Sequence, residues 1–109
     1  MGNQQHTEQT MADERVYKLV RPISFDGEEV KELVLDFDEL TGRDLLACAR
    51  QAQTMAPDEV AFVRALSLPY QVVVAAKAAA VPAELIQSLK AKDFTQVTQR
   101  AQIFLTTQE

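Results

Sequence analysis

Tyr17 to Phe37 reads YKLVRPISFDGEEVKELVLDF, and the way its two halves face each other decides the fold. Tyr17, Leu19 and Ile23 alternate with Lys18, Val20, Pro22 and Ser24, which is the period of a β-strand. After Asp26-Gly27 the alternation resumes, with Leu33, Leu35 and Phe37 on one face and Glu32, Val34 and Asp36 on the other. Directly opposed residues of an antiparallel pair point to the same side, so the loop length sets whether the two apolar faces coincide. A three-residue loop, Asp26-Gly27-Glu28, opposes Ile23 to Lys31, Leu19 to Leu35 and Tyr17 to Phe37. A two-residue loop would set Tyr17 against Asp36 and split the apolar set. The expectation is therefore a hairpin over 15–38 with a three-residue loop and Gly27 in the left-handed conformation. Pro22 cannot donate to a ladder and is expected at an outward-facing edge position. Two strands are marginal in water, so later residues must cover the apolar face.

Those residues read as helical over 41–107. Thr41-Gly42-Arg43-Asp44 has the form of a capping box opening a helix over 42–53, with Leu45, Leu46, Ala49 and Ala52 on one side. The run EVAFVRALS at 59–67 fits a short helix or an extended piece equally. Pro69 and Pro82 suit first helical turns and predict helices over 69–80 and 82–91. Asp93, with Gln96 three residues on, reads as the N-cap of a last helix over 94–107, whose Phe94, Val97, Ala101, Phe104 and Leu105 form an apolar stripe. The fold class is thus α+β, a two-stranded antiparallel hairpin packed on about four to five short α-helices. One domain, 15–109, follows a polar segment, 1–14, that lacks apolar periodicity and is expected to be disordered.

At 109 residues, 47% hydrophobic and 25% charged, the chain is sized and composed for a single globular core. Its net charge of −5 opposes binding to phosphate backbones or anionic membranes and favours protein partners. The acid is concentrated in residues 1–39, and its alternation with strand residues from Asp26 to Glu39 fits a solvated face rather than a calcium loop. The single cysteine, Cys48, sits in an apolar helical pattern and reads as a small core residue in a reducing compartment. The single histidine, His6, lies in the N-terminal segment, so neither a Cys–His pair nor a metal set can be assembled. With three unclustered glycines there is no phosphate loop. No catalytic residue, cofactor or metal is expected. No apolar run is long enough to span a bilayer and no signal peptide is evident, so the protein is expected to be soluble and to stay inside the cell that makes it.

Taken in order, ISFDGEEVKELVLDF, LTGRDLLA, YQVVVAAKAAAVP and VPAELIQSLKAKDFTQVTQRAQIFL resemble the tail assembly chaperones of Mu-like and related tailed phages. The resemblance spans roughly residues 17–105 and rests on the fixed order of the elements; 54–68 matches the pattern least. It implies a binding protein of the host cytoplasm, not an enzyme, encoded by a phage or prophage. Such a protein coats the helix-rich tape measure protein, keeps it soluble until the tail tube forms, and is absent from the finished virion. Family members are often also made in a longer, frameshifted form that recruits tail tube protein. Self-association is left open. The candidate partner-binding residues are Tyr70, Val73 and Val74 after Pro69, and Phe94, Val97, Ala101, Phe104 and Leu105 on the last helix. Phe104 and Leu105 either close the core against Leu19, Leu35 and Phe37 or stay part-exposed as a groove for a partner helix. The competing reading is a helix-turn-helix DNA-binding regulator, against which stand the scattered cations Lys77, Lys90, Lys92 and Arg100.

Overall fold

The computed structural model describes residues 14–107; apart from Glu14, the N-terminal segment with His6 lies outside the described residues. Strands β1 (Val16–Phe25) and β2 (Glu28–Val34) pair antiparallel. Asp26 and Gly27 alone make the turn, with φ of 53° and 79°, and Phe25 pairs with Glu28. Two successive positive φ values are what a type I′ turn requires, and its twist matches that of the strands. The expected three-residue loop is therefore corrected to two.

The facing problem that the longer loop was meant to solve is solved inside β1. Near the turn Ile23 pairs with Val30, but farther out Lys18 pairs with Glu32 and Tyr17 with Leu33. Leu19, Val20, Arg21 and Pro22 thus stand against Lys31 alone. Three extra residues is an odd number, so this bulge reverses the facing of β1 and buries Tyr17 and Leu19 on the same side as Leu33 and Leu35. Tyr17 opposes Leu33 rather than Phe37, which has left the sheet to start a 3₁₀ turn (Phe37–Glu39). Pro22 sits exposed in the bulge, where its missing N–H breaks no ladder.

Helix α1 (Gly42–Met55) opens with the expected capping box: the Asp44 amide donates to Thr41 Oγ1 at 3.2 Å and the Thr41 amide to Asp44 Oδ2 at 2.9 Å. The 59–67 run resolves into loop ending in a single 3₁₀ turn (Arg64–Leu66). Helix α2 (Leu68–Ala79) follows, with Pro69 in its first turn and Ser67 Oγ accepting from the Tyr70 amide. Helix α3 (Ala83–Gln87), shorter than the expected 82–91, and helix α4 (Ala91–Thr106) are the remaining elements among the described residues.

Every residue of α2 from Tyr70 to Ala76 is buried, as is Ala78, so this helix is the axis of the core. Cys48 and Ala52 of α1, Ile86 of α3, and Val97 and Ala101 of α4 belong to the same cluster as the buried hairpin face. The helix ends on Ala80 in the left-handed region at φ 57°, and the Val81 amide returns to the Ala76 carbonyl at 3.0 Å.

Candidate functional site

Asp93 is not the N-cap that its spacing suggested. Helix α4 starts two residues earlier, at Ala91, with Lys90 as a cap that makes no side-chain bond. Asp93 therefore falls in the first turn and points inward, fully buried. Its Oδ1 accepts from the Tyr17 hydroxyl at 2.6 Å and the Val20 amide at 2.9 Å, and its Oδ2 from the Arg21 amide at 3.0 Å. Val20 and Arg21 are bulge residues, so the carboxylate takes two amides that the sheet has left without ladder partners. Burial works to raise the Asp93 pKa, but the Tyr17 hydroxyl and the Arg21 and Val20 amides outweigh it and hold the carboxyl below its usual range. For Tyr17, burial and then the bond to Asp93 push the phenol up to about 12. Arg100 lies over the same ring, 5.1 Å from its centroid. This joint fastens the hairpin to the helices.

The candidate binding residues separate by burial. Tyr70, Val73 and Val74 of α2 and Val97 and Ala101 of α4 are core residues and present no surface in this conformation. Phe94 and Leu105 are half-buried against the core, and Phe104 is half-buried beside it. Phe104 stacks on Phe37 with ring centroids 5.1 Å apart, and the pair lines an open recess of about 320 Å³ with Leu35, Arg100 and Ile103. Cys48 is buried, its thiol pushed up by burial and its Sγ 3.7 Å from the Val73 carbonyl, which is the setting of an inert core thiol.

The exposed apolar surface lies largely where periodicity was uninformative. In the loop before α2, Phe62 is 96% exposed and Val60 77%, and Val63, Leu66 and the first residue of α2, Leu68, are each about half exposed. Glu59 Oε1, accepting from Ser67 Oγ at 2.7 Å, ties the start of this loop to the cap of α2. Arg64 reaches back over the Tyr70 ring at 6.0 Å. Leu68 then shares a shallow recess with Gln71, Thr95, Gln99, Gln102 and Ile103, and Ile103 is itself 54% exposed. Adjacent large apolar side chains left in water on a domain this small mark a contact surface. The signal available in the sequence was compositional: VAFVRAL holds four large apolar residues too few for a second core helix.

Among the described residues no helix is long and apolar enough to cross a membrane, and no three His, Cys, Asp or Glu side chains gather as a metal set would. Fold and surface together define a small α+β domain with a set of large apolar side chains left exposed. A model of the family described as phage tail assembly chaperone proteins, E, or 41 or 14, matches residues 16–106. The chain belongs to this phage tail assembly chaperone family. No curated protein and no solved structure matches it significantly.

Proposed function

We propose that this chaperone acts by binding rather than catalysis, in the host cytoplasm, on the tape measure protein of its phage or prophage. It covers apolar helical surface until the tail tube encloses it and does not remain in the finished virion. The observation that carries the reading is the exposed apolar surface running from Val60 through Leu68 to Ile103, beside a core whose described buried polar side chains are all hydrogen-bonded. A long amphipathic protein aggregates unless such surface is covered, and a partner with its own apolar face supplies the cover. The net charge of −5 keeps coated complexes apart. A longer product, made by a translational frameshift near the end of this reading frame, would extend the contact to tail tube protein.

Co-expression with the tape measure protein tests this directly: the tape measure protein is expected in the soluble fraction, bound to the chaperone, and in inclusion bodies without it. Mass spectrometry of purified particles is expected to find no copy of the chain; stoichiometric copies there would make it a structural subunit instead.

A further inference from the structure

The outward face of α4 joins two surfaces of different character. At its start, Arg21, Lys90 and Lys92 surround an open recess floored by Val20, which is 61% exposed. None of the three cations takes part in an ion pair among the described residues, in a protein whose net charge is −5. One helix face then leads from Lys92 past Thr95, Gln99 and Gln102, all uncharged, to Ile103. The rise of an α-helix puts Ile103 roughly 16 Å along the axis from Lys92. Leu68 lines the same recess as Ile103, and Leu66 and the exposed Phe62 line the next one, on the loop that leads into Leu68. The strip is cationic at one end, neutral in the middle and apolar at the other.

From this we infer that the strip is a seat for a single amphipathic helix of the partner protein, whose one end is acidic and whose other end carries large apolar side chains. Charge complementarity fixes the direction in which the helix lies. The cations set the encounter rate and the register, and the Phe62 end holds the helix in place. This inference rests on the chaperone reading above.

The test measures binding of the full chain to the co-expressed tape measure protein, in the wild type, in Phe62→Asp, and in Lys90→Glu with Lys92→Glu. Phe62 is exposed and its variant is expected to keep the wild-type melting temperature within a few degrees; the charge reversal is expected to stay folded but to melt lower, because Lys92 helps hold the neighbouring Asp93 carboxylate ionised. Phe62→Asp is expected to weaken binding roughly tenfold or more. The double charge reversal is expected to slow association and to reverse the sign of its salt dependence, so that added salt speeds it. If the wild type leaves the tape measure protein insoluble, the chaperone reading falls and this inference with it. If the wild type binds but the charge reversal leaves rate and salt dependence unchanged, the directional seat alone is overturned. It is overturned equally if Phe62→Asp turns a dimer of the free chain into monomers, which makes a second copy the occupant. Salt-sensitive binding of duplex DNA that the charge reversal removes would assign the cations to nucleic acid instead.

Discussion

The joint at Asp93 and the loop from Val60 to Leu68 treat side chains in opposite ways. At the joint a carboxylate is taken fully out of water and given three donors, while in the loop a phenylalanine is left almost wholly in water. A buried charge is tolerated only when its surroundings are fixed, because each unmet partner costs desolvation with nothing in return. An exposed apolar ring makes no such demand on the fold, and its burial is left for an encounter with something else. Stability and the proposed recognition therefore sit at different places in this domain, and substitutions should separate them.

The largest effect is expected from Asp93→Ala. It leaves the Tyr17 hydroxyl and the Val20 and Arg21 amides without their acceptor, and a loss of about 3–5 kcal/mol is expected in urea unfolding, with the hairpin released from the helices. A loss of about 1 kcal/mol, the value of a simple helix cap, would mean that the bulge amides find other partners. The same joint sets the response to pH. The Asp93 pKa is lowered in the fold, so its contribution is present above the ordinary carboxylate range and is lost as pH falls through the folded value. The Tyr17 pKa is raised to about 12, so its contribution is complete below about pH 10 and is lost as pH rises through 12. Melting temperatures should therefore fall at both extremes, and Tyr17→Phe should remove the alkaline fall.

A smaller effect is expected at the turn. Gly27→Ala places a Cβ at φ 79° and should cost about 1 kcal/mol by thermal unfolding, although no atom lies near enough for the Cβ to strike. Phe62→Ser should change stability least, by less than about 0.5 kcal/mol, while the tape measure protein is no longer kept soluble. A Phe62→Ser variant that melts well below the wild type would place the loop with the joint and dissolve the contrast.

Much of this frame could be read from local pattern. The place of the turn at Asp26-Gly27, though not its length, the Thr41–Asp44 box and Pro69 in a first turn rest on near neighbours in sequence, and alternation or capping spacing encodes them. The bulge could not be read, because Val20-Arg21-Pro22 keeps the same alternation whether or not Lys31 is its sole partner. Nor could the role of Asp93: capping-box spacing holds for any acid near a helix start, whereas its real donors lie 72 to 76 residues away. The candidate surface was hard to read for a different reason. Val73, Val97 and Ala101 are apolar and in register, and nothing local distinguishes a stripe that closes a core from one that awaits a partner. The loop at 60–68 carries no period at all, and only the packing of α2 against α4 reveals that its apolar residues are left over.

The long reach of the Tyr17–Asp93 bond also orders events during synthesis. The hairpin leaves the ribosome 76 residues ahead of the carboxylate that secures its bulge. At about 5–20 residues per second this is a wait of roughly 4–15 seconds. Throughout it the Val20 and Arg21 amides are held by water alone, and the apolar face under Tyr17 and Leu33 has no α4 to meet. The nascent chain thus spends its first seconds with an open strand and an uncovered face, and becomes a binding domain only when its final helix arrives.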